Sequence, residues 1–177
     1  VNTQCQDMGT APQNASIARE NGAFVITESI PGKTVDAEAT GEALNQALAQ
    51  GLDEAVRVEA VIMETEPEIT TEDLASIQDV LGTATTSFSS SGAARSTNVS
   101  VGASKINGRV LMPGEVLSGY ECLQPFTSAN GYKGAASYAN GQVVDSIGGG
   151  VCQVSTTLYN AALQAELEIV ERQNHSM

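Results

Sequence analysis

Residues 147–163 read IGGGVCQVSTTLYNAAL, in which three glycines lead into a run of helix-forming residues. Glycine permits positive φ angles and lets another molecule approach the backbone closely. At 100° per residue, the predicted helix has one apolar stripe, and Cys152 lies off it. The stripe consists of Val151, Val154, Leu158, Ala161, Ala162 and Ala165, whereas Cys152 shares its side with Ser155, Thr156 and Tyr159. The pattern predicts a glycine turn followed by an amphipathic helix that begins near Cys152.

A thiol in the first turn of a helix is a candidate nucleophile. The unpaired N–H groups and the positive end of the helix dipole stabilise negative charge there, which favours the reactive thiolate. The backbone amides of Gly149, Gly150 and Val151 would then hold the oxyanion that forms when the thiolate attacks a carbonyl. The alternative is that Cys152 is a small buried hydrophobic residue beneath the glycine turn, as free cysteines often are.

His175 is the only histidine and follows Cys152 by 23 residues. The alternating residues 167–172 predict a strand that runs back beside the helix and brings His175 to Cys152. A base within hydrogen-bond reach of a thiol is what nucleophilic catalysis needs, although a lone histidine is often an ordinary surface residue. The candidates for orienting the imidazole are Asp145, Asn140 and Asn174. A single histidine also excludes a histidine-rich metal site.

The composition indicates a folded α+β protein. A chain of 177 residues with 41% hydrophobic residues can bury a core, and 4% aromatic residues without tryptophan leave aliphatic side chains to build it. Three cysteines, Cys5, Cys122 and Cys152, are an odd number at wide and irregular spacing. This spacing fits neither a zinc site nor a disulfide framework, so at least one thiol should be free.

The charge argues against nucleic acid as a partner. Eight basic and 21 acidic residues give a net charge of -13, which would repel a phosphate backbone. The dispersed acidic residues over 20–79 indicate a solvated surface, with binding of a cationic ligand as the alternative. No apolar stretch approaches the roughly 20 residues that span a bilayer. The chain begins at Val1 without an initiator methionine, so a signal or membrane anchor is expected outside it.

The N-terminal part predicts a small β-α-β-α module. Residues 1–16 are polar and aperiodic and predict a flexible segment or loop. The remaining signals are a strand over 23–27, a turn at Pro31-Gly32, a helix over 37–50 capped by Asp36, a strand over 55–63, and a helix from Thr70 or Thr71 to Ile77. We place this module at residues 17–80.

A second domain is predicted over residues 81–177, with the boundary between 78 and 84. The Thr- and Ser-rich stretch 83–92 could be a linker or the first strand of this domain. The later signals are a helix over 95–106, a turn at Pro113-Gly114 between extended pieces, and a hairpin at Asn140-Gly141.

Three further stretches carry a resemblance to a known family when taken with residues 148–163. They are INGRVLMPGE at 106–115, GYK at 131–133 and ERQNHS at 171–176. Residues 81–177 closely resemble the VanW domain. Residues 14–80 are similar to the peptidoglycan-binding module that often precedes it in membrane-anchored proteins of Gram-positive bacteria.

The resemblance implies an extracytoplasmic cell-wall protein of a family linked by name to vancomycin resistance. It also implies an L,D-transpeptidase with Cys152 as nucleophile and His175 as its proton-transfer partner. Arg95 and Asn98 match family motif positions without an assigned role. The chain departs from the family where Leu117-Ser118-Gly119-Tyr120 replaces an aromatic residue after Pro-Gly-Glu-Val. Family members also continue past His175, so we expect the domain to be truncated.

The leading functional hypothesis is acyl transfer on peptidoglycan stem peptides through a Cys152 thioester. One alternative is an NlpC-like endopeptidase, in which water resolves the thioester. The other is a non-catalytic module that binds peptidoglycan or a glycopeptide and receives a ligand carboxylate on the backbone amides of the glycine turn.

Several polar side chains near the glycine turn are candidates for substrate binding. Arg95 or Lys133 could hold a stem carboxylate, or either could be an ordinary surface charge. The other candidates are Asn98, Gln153, Ser155 and Tyr159. The sequence gives no sign of a cofactor, and it leaves the oligomeric state open.

Overall fold

The computed structural model describes residues 9–51, 55–139 and 141–173 of the chain. The chain divides into two compact units, Val1–Gln78 and Asp79–Met177. Helices and small antiparallel sheets occur together, which confirms the predicted α+β class.

The first unit pairs its strands in two small antiparallel sheets, β1 with β2 and β3 with β4. Its described elements are β1 (Ser16–Glu20), β2 (Ala23–Thr27), β3 (Gly32–Val35), α1 (Ala37–Ala49), β4 (Ile62–Thr65) and α2 (Thr71–Ala75). The predicted β-α-β-α order is present in this unit, and β1 and β3 are additional strands.

Side-chain caps fix both helices of the first unit. Asp36 Oδ1 accepts the N–H of Ala39 at 2.9 Å and so begins α1 where the sequence predicts. Thr70 and Asp73 form a capping box at α2, with Thr70 N–H donating to Asp73 Oδ2 at 2.8 Å. The backbone and side-chain hydrogen bonds from Thr70 hold the pKa of Asp73 below its ordinary value. Leu74, in the middle of α2, is fully buried.

Two strand predictions in this unit need correction. The alternating pattern over 55–63 is a strand only from Ile62 onward, and β4 pairs with β3 from there. Strand β1 was not predicted, and it forms a hairpin with β2. Asn21 and Gly22, in the turn between them, both have positive φ angles, 50° and 86°. Thr10 and Gln13, in the predicted N-terminal loop, form antiparallel bridges with Lys33 and Ile30.

The second unit is built around two longer helices. Its described elements are α3 (Ala93–Ile106), α4 (Gly119–Leu123), a 3₁₀ turn (Ser128–Asn130), β5 (Gly134–Ala139), β6 (Gln142–Ile147) and α5 (Cys152–Gln164). The helix predicted over 95–106, the hairpin at 140–141 and the helix after the glycines are confirmed.

The core of the second unit forms where α3, α4 and α5 meet. Val99, Leu123 and Val154 are its buried centre, with Phe88, Ile106 and Phe126 packed around them. Gly102 allows this approach, because a Cβ there would lie 3.0 Å from Leu123 Cδ2. The buried Tyr132 donates its hydroxyl to Leu123 O at 2.6 Å, and burial raises the pKa of Tyr132.

The strand predicted over 167–172 is wrong. α5 ends in a tight turn in which Glu166 has a φ of 56° and Leu167 N–H donates to Ala162 O at 3.0 Å. The following residues join no ladder with a described strand, and Leu167 and Val170 stay exposed. An alternating pattern needs a neighbouring strand before it can become a sheet.

Candidate functional site

The three glycines form the turn that leads into α5, and each position excludes a side chain. Gly148 and Gly150 have φ angles of 87° and 99°, which L-residues rarely adopt. A Cβ on Gly148 would lie 3.0 Å from the Phe126 ring, and one on Gly150 would lie 2.5 Å from Arg95 Cγ. A Cβ on Gly149 would overlap the backbone of β5. The backbone path before α5 therefore depends on glycine at all three positions.

Asn98 holds this turn in place through hydrogen bonds to backbone groups. Its Nδ2 donates to Gly149 O at 2.9 Å and to Lys133 O at 3.0 Å, and its Oδ1 accepts the Lys133 N–H at 2.7 Å. Asn98 has no exposed surface. Its prediction as a substrate-binding residue is therefore corrected: Asn98 positions the turn and cannot touch a ligand.

Arg95 and Gln153 link the turn to the segment before α3. Arg95 donates to Ser91 Oγ at 2.6 Å and to Gln153 Oε1 at 2.8 Å. Gln153 Nε2 donates in turn to Thr86 Oγ1 at 2.9 Å and to Ser87 O at 3.1 Å. Both donor hydrogens of Gln153 are thus engaged within the protein, so Gln153 orients Arg95 rather than binding a ligand through its amide donors.

Cys152 is the first residue of α5, and it is a free, exposed thiol. The alternative that it fills a buried space beneath the glycine turn is therefore wrong. Val151 and Val154, which belong to the predicted apolar stripe, are buried, as the helical wheel predicts. Ser155 is exposed on the same side of α5 as Cys152. The second described cysteine, Cys122, is half-buried in α4.

Two of the three predicted oxyanion donors are already engaged. Gly149 N–H donates to Ser146 O at 3.2 Å, and Val151 N–H donates to Gly148 O at 3.2 Å. Gly150 N–H and Cys152 N–H donate to no acceptor among the described residues. The free amides near the thiol are therefore those of Gly150 and Cys152, which differs from the predicted set at Gly149 and Val151.

The chain returns along α5 after the helix ends. The guanidinium carbon of Arg172 lies 5.0 Å from the ring centroid of Tyr159, seven residues after Cys152 on the same side of α5. Tyr159 is half-buried and stacked within the protein. His175, and the orienting candidates Asn174 and Asn140, lie outside the described residues.

The remaining candidates are dispersed around the turn. Lys133 has an exposed side chain, and its backbone N–H and C=O groups form hydrogen bonds with Asn98. Asp145 is exposed on β6. Among the residues that the structure describes, no group of three or more His, Cys, Asp or Glu side chains is placed to hold a metal ion.

A groove of about 350 Å³ lies on the side of α5 opposite Cys152. Its lining includes Phe88 and residues of α3 and α5, among them Val99, Ile106, Val154 and Leu158. The lining side chains at positions 154, 157, 158 and 161 lie about 120–180° around the helix from Cys152, at 100° per residue, and Gln153 lies between the two sides. The groove and the exposed thiol are therefore separate features.

Comparison with known proteins identifies the family. Residues 94–177 match the family model described as "VanW like protein", and residues 1–57 match the one described as "Putative peptidoglycan binding domain". Over 121 residues the chain is 38% identical to the protein YoaR of Bacillus subtilis (strain 168). The aligned residues are 68% of this chain and 40% of YoaR. The C-terminal half of the chain belongs to the VanW-like family.

A second relative supports this assignment. Over 78 residues, 44% of this chain and 28% of the relative, the chain is 32% identical to the vancomycin B-type resistance protein VanW of Enterococcus faecalis (strain ATCC 700802 / V583). The chain spans less than half the length of either relative. No solved structure matches it. Within the described ranges, no helix is both long and apolar enough to cross a bilayer.

The VanW-like match includes every site residue that the sequence analysis named. Thr86 and Ser91 were not among the predicted site residues, because the composition of stretch 83–92 indicates a linker or a strand. The structure instead lays this stretch against α5, where Phe88 joins the core and the hydroxyl groups hold Gln153 and Arg95. Phe88, the only aromatic residue in this stretch, was the available signal that it packs.

Proposed function

We propose that this chain is a cell-wall protein whose VanW-like domain transfers acyl groups of peptidoglycan stem peptides through a thioester on Cys152. The matches to the VanW-like and peptidoglycan-binding families support association with the cell wall and an extracytoplasmic location. The observation that carries the catalytic part is the exposed thiol of Cys152 at the start of α5. A nucleophile must be reachable, and the dipole of α5 favours negative charge at this end.

The proposed reaction has two acyl-transfer steps. His175 takes the thiol proton, and Sγ of Cys152 attacks the carbonyl carbon that precedes the terminal D-amino acid. The C–N bond breaks, and the amine of that residue leaves with the proton from His175. An amine of a neighbouring stem then loses its proton to His175 and attacks the thioester, which forms a new amide and releases the thiolate. The thiolate takes the proton back from His175, which restores the thiol. The free N–H groups of Gly150 and Cys152 stabilise the oxyanion in each step.

The path of the chain after α5 supports His175 as the base. Arg172 contacts Tyr159, and the seven residues of helix between Tyr159 and Cys152 rise about 10 Å. The three residues from Arg172 to His175 can span about 10 Å when extended. The length of chain therefore permits the imidazole to reach the thiol.

Intact-protein mass spectrometry tests the proposal. The chain is incubated with disaccharide-tetrapeptides, in parallel with its Cys152→Ala, His175→Ala and Cys122→Ala variants. We expect an acyl adduct and cross-linked dimers with the unmodified chain and with Cys122→Ala, which controls for general thiol reactivity. Cys152→Ala should form neither, and His175→Ala should react roughly 10²- to 10⁴-fold more slowly, as expected on losing a general base.

The outcomes separate the alternatives. Cleaved monomers without dimers would mean that water resolves the thioester, as in an endopeptidase. A complete absence of adduct and products, with peptide binding equal in Cys152→Ala, would refute acyl transfer and leave a binding module. That second candidate function is favoured by Arg95, a cation beside the turn that pairs with no described carboxylate.

A further inference from the structure

We infer that Arg95 binds the free terminal carboxylate of the donor peptide, so that the site selects stems whose last residue ends in a carboxylate. This inference rests on the proposed function, and it names the feature of the substrate that this site recognises. Its basis is the placement and the unused hydrogen-bonding capacity of one guanidinium group.

Among the described residues, Arg95 has no acidic partner, although the protein is strongly acidic. The chain carries 21 acidic residues and 8 basic ones, yet Arg95 forms no ion pair with a carboxylate in the described ranges. Its two protein partners, Ser91 Oγ and Gln153 Oε1, are both neutral. No carboxylate in the described part of the chain therefore compensates its positive charge, although the side chain is half-buried.

The guanidinium is also held in a fixed orientation. Gln153 is anchored by Thr86 and Ser87, and it fixes one arm of Arg95, while Ser91 fixes the other. A guanidinium has five N–H donors, so three remain for a ligand. Planar donors of this kind match a carboxylate in a two-pronged geometry, and an arginine held in advance loses little entropy on binding.

The position of Arg95 fits a carboxylate one residue beyond the scissile bond. Arg95 Cγ lies 2.5 Å from where a Cβ of Gly150 would be, and Gly150 precedes Cys152 by two residues. One peptide residue advances about 3.8 Å, so the carboxylate of a single terminal residue stays close to the carbonyl under attack. Lys133, the other candidate, has an exposed side chain, and no neighbouring side chain in the described ranges holds its ammonium group in place.

The test compares a stem tetrapeptide with the same peptide ending in a carboxamide. Affinities are measured by calorimetry in Cys152→Ala, so that acylation does not contribute. We expect the carboxylate peptide to bind about tenfold or more tightly, as one charge-assisted pair provides. Arg95→Gln should abolish this preference, and Lys133→Gln should keep it.

A second variant guards against misfolding of Arg95→Gln. Ser91→Asp keeps Arg95 in place over Gly150 but gives it an internal carboxylate partner, so the preference should again be lost. Equal binding of the two peptides by Cys152→Ala, or a preference that survives both Arg95→Gln and Ser91→Asp, would overturn the inference. A preference carried by Arg95, in a chain that forms no Cys152 adduct, would keep the carboxylate site and refute acyl transfer instead.

Discussion

Replacing Asn98 with alanine should destabilise the second unit more than any exposed substitution nearby. The Asn98 side chain makes three hydrogen bonds, all with backbone groups of Lys133 and Gly149, and it is completely buried. Alanine would leave the Lys133 N–H and the Gly149 C=O without partners at a place from which solvent is excluded, whereas Lys133 O would keep the N–H of Gly148 at 3.1 Å. The same contacts fix the turn before Cys152, so the damage should reach the thiol.

The magnitude follows from the hydrogen bonds lost. Each contributes about 1 kcal/mol net, and an orphaned buried group costs about 1–3 kcal/mol, so the total loss should be about 3–5 kcal/mol. For a unit of this size, about 1 kcal/mol lowers the melting temperature by about 4–8 °C, which predicts a fall of at least about 10 °C.

Urea and thermal unfolding followed by circular dichroism measure this effect. Thr97→Ala is the matched control, because Thr97 is only partly buried on the same helix and, among the described residues, its hydroxyl bonds only to Ala93 O. The rate at which iodoacetamide alkylates Cys152 provides a second readout, which should change in Asn98→Ala and not in the control. A free energy of unfolding of Asn98→Ala within about 0.5 kcal/mol of the parent value, the usual range for surface substitutions, would refute the role of Asn98 in holding the turn.

Asn98→Asp should make the stability of the second unit depend on pH. A carboxylate at this position would face the two carbonyl oxygens that now accept from Asn98, whereas the protonated acid can still donate to one. The pKa of such an aspartate is therefore raised on folding. The stabilisation that the protonated acid provides is retained below the unfolded pKa of about 3.9 and is lost as the pH rises through the folded pKa. The variant should be closer to the parent at pH 4 than at pH 7, and the reverse order would contradict this reasoning.

Three further predictions concern stability. Because hydrogen bonds from Thr70 lower the pKa of Asp73, their stabilisation of α2 is complete above the unfolded value of 3.8 and lost as the pH falls below it; Asp73→Asn should remove this acid sensitivity in a circular dichroism titration. Because burial raises the pKa of Tyr132, the free energy of unfolding should fall as the pH rises above 10, and Tyr132→Phe should remove that pH dependence. The same variant should lose about 1–3 kcal/mol in urea unfolding, because Leu123 O loses its hydrogen bond from the Tyr132 hydroxyl. Glu166→Gly should stabilise the chain by about 0.5–1 kcal/mol in the same assay, because glycine adopts the φ of 56° at the end of α5 without steric cost.

Local signals in the sequence predict the helices well. Asp36 caps α1 as predicted, and Thr70, one of the two predicted caps, caps α2, because a cap depends on residues three positions apart and on little else. The same reasoning could have found α4, where Ser118 accepts the N–H of Glu121 and the spacing is that of a capping box. It could also have found the first hairpin, since Asn21-Gly22 is the dipeptide that was recognised at 140–141.

Strand predictions failed where the outcome depends on a partner. Residues 55–61 and 167–172 both alternate, yet neither is a strand, because pairing is decided by segments distant in the chain. The role of Asn98 was unpredictable for the same reason. Its hydrogen bonds reach residues 35 and 51 positions away, and no local pattern encodes them.

Hydrogen-bonding capacity separates the structural residues of the site from those that can meet a ligand. Both donors of Asn98 and both donors of Gln153 are engaged within the protein. Within the part of the chain that the structure describes, Arg95 uses two of its five donors, and Gly150 and Cys152 keep free amides at the same end of α5. Substituting Gln153 should therefore act through the orientation of Arg95 and weaken discrimination between carboxylate and carboxamide peptides, whereas substituting Asn98 should disturb the thiol and the carboxylate site together.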